Sequence, residues 1–160
     1  YTRLHLGLNE GAYSLLLSAL GAGALGAALV TATFGSVQRR SLFLLAGVTS
    51  CGAGLGGLAV APAAWAAGGC CAAVGFGMVL FLATGQSALQ LAVPDAVRGR
   101  VMAVWAMTIS ASAPLGHLLA GEAVTAAGVG PVLRGMAGGV AAVLVLLAAA
   151  LAVRNRPDPR

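Results

Sequence analysis

Few residues in this chain could do chemistry. Asp95, Arg98 and Arg100 stand together in VPDAVRGR. On a helix, residues three apart meet, and an aspartate suits the positive N-terminal end of a helix dipole. The trio could therefore act as an ionic latch between helix ends, formed in one conformation and broken in another. The plainer use is to hold a chain segment at a water interface, where an exposed pair contributes about 0 to 1 kcal/mol. Further along, SAPLGHLLAGE holds His117 and Glu122. These could carry or relay a proton, or simply satisfy neighbours, with Arg134 within reach of Glu122 across a short turn. Gln86, Ser87 and Gln90 offer hydrogen-bonding groups, and Ser87 is a hydroxyl whose one candidate base in the apolar segments is His117. Cys51, Cys70 and Cys71 lie in apolar runs with no CxxC or Cys/His spacing, so no metal site is expected and packing is their reading.

The elements that position these groups follow from composition. Of 160 residues 59% are apolar and 8% charged, with a mean hydropathy of +0.95. A soluble domain carries about a quarter charged residues, so too little polar material is present to cover a water-facing surface. Disorder, a coiled coil and a disulfide scaffold are excluded with it. The net charge of +5 comes from nine arginines scattered in ones and twos. No basic stripe follows a phosphate backbone, and nucleic acid is not an expected partner. Lipid is the expected solvent, and no cofactor is called for.

Five apolar segments have the roughly twenty residues needed to cross hydrocarbon. They run approximately over 11–31, 42–60, 64–88, 101–124 and 132–153, separated by breaker-rich stretches such as TFGSVQRR, VPDAVRGR and AGVGP. None alternates with period two, so an all-α integral membrane fold is expected. Five crossings put Arg39, Arg40, Arg98, Arg100, Arg154, Arg156 and Arg160 on one side, against Arg3 and Arg134 on the other. The positive-inside rule then makes the C-terminus cytoplasmic. Trp65 and Tyr13 fall at the outer interface, either as an aromatic belt or as packing residues.

Depth separates the candidates. Glu122 lies about 33 Å of helix rise beyond Arg100, at the outer interface, which favours a structural pair with Arg134. His117 is deeper, on one face with Ser110 and Pro114. Phe76, Leu80 and Thr84 share a face of the third segment above Gln86. That face either lines a cavity for an amphipathic solute or packs against a neighbour. Close approach between helices should use small residues: Ser14, Ser18, Ala22 and Gly26 in the first segment, Gly52 and Gly56 in the second, Gly135 and Gly139 in the fifth. Pro114 should kink the fourth segment, and the fifth should face lipid.

LQLAVPDAVRGRVMAVWAM, followed by SAPLGHLLAG and preceded by YSLLLSALGAGALGAALV, resembles the C-terminal half of a major facilitator superfamily transporter. The nearest branch is that of the enterobactin-exporter-like and drug-efflux-like proteins. The resemblance covers nearly the whole chain and is most specific from Val93 to Met102. It implies that the segments are helices eight to twelve of a twelve-helix fold, in which the third segment borders the substrate cavity. It also implies export of a small amphipathic molecule by alternating access, energised by an ion gradient, most commonly protons, in the cell's cytoplasmic membrane. Substrate-lining candidates are then Phe76, Leu80, Thr84, Gln86, Ser110 and His117, and the switch is Asp95, Arg98 and Arg100. ATFGSVQRR keeps Gly35, Arg39 and Arg40 of a family loop motif but lacks its acid, which puts a charge lock there in doubt. With Tyr1 in first place, the chain reads as a piece whose partner is an N-terminal half.

Two other classes compete. A membrane subunit or scaffold without transport of its own would need helices alone, although the loops are short for a coupling element. Gly85-Gln86-Ser87 also resembles the nucleophile motif of intramembrane serine proteases. Catalysis needs the base about 3 Å away, whereas His117 lies about 25 Å of helix rise from Arg100 toward the outside, and Ser87 near the inside.

Overall fold

The computed structural model describes residues 10–34 and 40–154. Within them every element is an α-helix: α1 (Glu10–Phe34), α2 (Arg40–Leu58), α3 (Ala64–Ala92), α4 (Asp95–Ala127) and α5 (Val129–Arg154). All five are long and apolar enough to cross a membrane. The all-helical membrane architecture expected from composition is the one observed.

The helices outrun several of the apolar segments. α4 starts at Asp95 rather than near 101, so Asp95, Arg98 and Arg100 lie in its first two turns. Hydropathy marks the hydrocarbon slab, whereas a helix continues through the interface as long as its backbone bonds do. Its start is set by proline. Val93 is extended at φ −101°, ψ 131°, as a residue before proline must be. The Pro94 carbonyl then accepts from the N–H groups of Val97 and Arg98, each at 3.1 Å. Its end is set by Gly128 at φ +82°, whose N–H donates to the Val124 carbonyl at 2.9 Å. That single residue joins α4 to α5.

α3 is the centre of the packing, with α1 against one side and α2 against the other. Both contacts rest on glycine. A side chain on Gly23 would run into the backbone of Ala72, and one on Gly75 into that of Leu20. On the other side a Cβ on Gly77 would stand 2.5 Å from the Gly47 carbonyl oxygen and 2.6 Å from the Cys51 nitrogen. Backbones this close gain dispersion that larger residues would forbid, the usual basis of association where lipid removes the hydrophobic drive. Next to the Gly47–Gly77 contact, the Ser50 hydroxyl donates to the Ala73 carbonyl at 2.8 Å. Ser50→Ala is expected to cost about 0.6 kcal/mol in an unfolding titration in detergent, the typical value for such a bond in lipid. A loss above about 2 kcal/mol would show that the hydroxyl does more than join α2 to α3.

The small-residue faces differ in part from those expected. Gly52 and Gly56 do face α5, against Val140 and Ala137. On α1, however, the contact row is Leu20, Gly23 and fully buried Ala27, while Ser14, Ser18 and Ala22 are exposed. Steps of four residues advance about 40° each around a helix, so the four-residue stripe drifts off the contact, whereas spacings of three and four together stay on it. Only Gly26 reaches the edge of that interface, beside the Phe76 ring at 3.7 Å. Gly135 and Gly139 face open space.

α5 lies along α2, and α4 touches little: it has no buried residue, Pro114 included, so no neighbour packs against that proline here. Leu15, Leu17, Leu25, Leu29, Leu118, Leu119 and Leu146 point outward. In water so many exposed leucines would aggregate; in hydrocarbon they cost nothing. Tyr13 and Trp65, 60% and 82% exposed, sit near the N-terminal ends of α1 and α3, as an interfacial belt requires.

Candidate functional site: the arginine end and the α3–α4 cleft

The contacts fix which helix ends lie together. Gly47 meets Gly77 and Gly54 meets Cys70, so α2 and α3 are antiparallel. Gly52 meets Val140 and Gly56 meets Ala137, so α2 and α5 are antiparallel as well. Arg40 at the start of α2, Arg98 and Arg100 at the start of α4, and Arg154 at the end of α5 therefore share one end of the bundle. Arg3, Arg39, Arg156 and Arg160 lie outside the described residues, as does Gly35.

At that end Arg98 and Asp95 form an ion pair with Nη2 and Oδ1 2.5 Å apart. The same Nη2 approaches the Val93 carbonyl at 3.4 Å, so the guanidinium ties the first turn of α4 to the α3–α4 turn. The Asp95 side chain is 86% exposed, and solvent screening limits the pair to the surface range. With Asp95 engaged by Arg98, Arg100 has no carboxylate partner among the described residues.

Arg100 stands instead at a cleft of about 360 Å³ between α3 and α4, lined also by Leu89, Val101, Val104, Trp105 and Thr108. Trp105 spans the gap, its ring 3.5 Å from where a Gly85 Cβ would be. Its Nε1 is buried without a hydrogen-bond partner, and so is Thr84 Oγ1 one residue along α3. Sequence reading did not single out Trp105. The signal was present, a tryptophan one and a half turns inside a membrane-flanking arginine, but tryptophan at that spacing is commoner as plain packing.

The six candidate lining residues do not converge. Leu80 is 1% and Thr84 6% exposed, both packed inside the bundle, and Phe76 lies against α1. Leu80 and Thr84 are enclosed because α3 is the helix with most neighbours among the described residues. Gln86 is exposed on α3 beside the packed face, while Ser110 and His117 are exposed on α4.

The expected Glu122–Arg134 pair is absent: both side chains are exposed, and neither has an ion-pair partner among the described residues. α4 runs on to Ala127, which carries Glu122 away from the turn, and the Arg134 guanidinium folds back along α5, 3.9 Å from where a Gly130 Cβ would be. Ser87 and His117 do not approach either. His117 is 22 residues into α4, about 33 Å from its start, while Ser87 is one to two turns from the end of α3. The three cysteines are free thiols, half-buried in the helix contacts, and no three metal-ligating side chains converge among the described residues.

Another cavity, about 310 Å³, lies at the opposite end between α1, α2, α3 and α5. It is walled by Tyr13, Leu16, Leu20, Leu58, Cys71 and Leu133 among others and offers no charged group.

No curated protein and no solved structure matches the chain. A family model does, over residues 2–158, and its description is transmembrane secretion effector. That span takes in all five membrane-crossing helices, the arginine end and the α3–α4 cleft. The chain belongs to the transmembrane secretion effector family and is a multi-pass membrane transporter of the major facilitator type.

Proposed function

We propose that these helices are helices eight to twelve of an exporter of the drug-efflux-like branch, working with an N-terminal half by rocking about a midplane site. The carrying observation is the family match over residues 2–158. Supporting it is α4, a helix long enough to span that has no fully buried residue among the described helices and touches them mainly through Trp105, which leaves most of its surface for another bundle. Ser110 and His117 are exposed on α4 and, with Gln86, are the candidates to border the path. In this reading the cargo is a small amphipathic molecule and the counter-ion a proton. The arginine end faces the cytoplasm of the cell membrane, by the positive-inside rule.

Asp95, Arg98 and Arg100 then serve as the conformational latch. Because the Asp95–Arg98 pair is exposed, breaking it should leave the fold intact, and any effect on transport reports on the access states alone. In the full transporter, Arg98→Ala is expected to slow proton-driven efflux about tenfold at unchanged protein level, toward the lower end of the usual range of coupling energies. Wild-type efflux together with unchanged accessibility of both faces would sink the latch. Efflux that persists after the proton gradient is collapsed would remove the coupling ion without touching the latch.

A further inference from the structure

The transport cycle proposed above makes no use of the α3–α4 cleft. One cation stands at its mouth, and its walls are otherwise almost wholly apolar: Leu89 from α3, and Val101, Val104, Trp105 and Thr108 from α4. From Arg100 to Thr108 the wall rises about 12 Å along the helix. It thus runs from the interface well into the hydrocarbon.

Arg100 is the member of its trio left without an acid, since Arg98 holds Asp95. A guanidinium with no carboxylate partner among the described residues, set at interfacial depth above an apolar slot, complements an amphiphile with an anionic head joined to an apolar tail. None of the described helices closes the slot from the side, because no residue of α4 is fully buried against them. Its volume suits a ligand rather than a water or two. At the cytoplasmic leaflet the abundant amphiphiles of this description are anionic lipids, which juxtamembrane arginines already attract.

We infer that the cleft seats one anionic phospholipid of the cytoplasmic leaflet, its phosphate on the Arg100 guanidinium and an acyl chain along Val101, Val104 and Trp105. The leaflet assignment rests on the orientation proposed above. A lipid seated there lies between Leu89 of α3 and the first turns of α4, beside the Trp105 bridge, which makes the lipid composition of the membrane a determinant of how the α4 latch is set.

The test uses the full transporter with Trp105 as its one tryptophan, Trp65 and any others being replaced by phenylalanine. It is placed in phosphatidylcholine vesicles containing acyl-brominated phosphatidylglycerol or, separately, acyl-brominated phosphatidylcholine. Half-maximal quenching of Trp105 is expected at about fivefold lower mole fraction of the anionic lipid. Arg100→Gln should erase that preference. Val104→Phe, which fills the slot and keeps the charge, should erase it too, separating a seated lipid from a diffuse cloud attracted by surface charge. Equal quenching by the two lipids, or a preference that survives Val104→Phe, overturns the inference. Loss of the preference on adding octyl phosphate to the water phase would make a soluble amphipathic anion the occupant and overturn the lipid. Labelling of Ala96→Cys by an impermeant reagent from the outer face alone would overturn the orientation, and with it the leaflet, while leaving the quenching result to decide the site.

Discussion

A single methyl group on Gly23 or Gly75 is expected to destabilise this protein by about 3 kcal/mol, the upper end of the usual cost of overpacking. The reason lies in what the methyl would meet. At both positions it runs into main-chain atoms of the facing helix, Ala72 for Gly23 and Leu20 for Gly75. A side chain can rotate away, but a helix backbone can yield only by moving the whole helix, which would separate α1 from α3 along their length. Gly135→Ala and Gly139→Ala provide the opposite sign. Their surroundings are open, and alanine is the better helix former by up to about 1 kcal/mol. Thermal unfolding of the four variants in one detergent would decide the matter. Equal losses at all four positions would mean that α1 and α3 do not meet through Gly23 and Gly75.

The second large effect separates packing from ligand contact on α3. Leu80 is the largest fully buried side chain among the described residues, so Leu80→Ala should cost about 2 to 5 kcal/mol through lost contacts and the cavity left behind. Thr84, one turn further on, is buried with its Oγ1 unpartnered. Thr84→Val keeps the shape and removes an unsatisfied polar atom, so stability should rise by about 1 kcal/mol with efflux unchanged. If Thr84→Val left stability alone and abolished efflux, the hydroxyl would be a ligand contact, and this face would be the cavity wall that sequence reasoning also allowed.

Local features were legible in the residues themselves because each depends on composition or on the chain's immediate neighbours. Too few charged side chains for a wet surface dictate lipid as solvent. Long apolar runs without period-two alternation dictate helices; hydropathy places the start of the fourth segment near 101, whereas α4 begins at Asp95 because Pro94 forces Val93 out of the helical region and cannot donate a backbone bond. The Asp95–Arg98 pair is a three-residue spacing on one helix, and the placement of Arg40, Arg98, Arg100 and Arg154 at a common end follows from counting crossings.

Contacts between helices were less legible, since residues distant in the chain set them. Twenty-four glycines offer many equivalent small-residue patterns, and a pattern on one helix acts only if the facing helix presents its own small residue at the same depth. Gly23 meets Ala72 and Gly77 meets Gly47, whereas Gly135 and Gly139 meet nothing among the described residues. The same holds for the charged candidates. Glu122 and Arg134 are near in sequence, but the length of α4 and the direction taken by the arginine keep them apart. Lipid as solvent, helix as the form and the arginine end were therefore determined by the sequence alone, because each rests on sums over short stretches. Which face of α3 is buried, and that Arg100 and Trp105 share a cleft, was decided only by the tertiary structure, because both depend on how closely two backbones can approach.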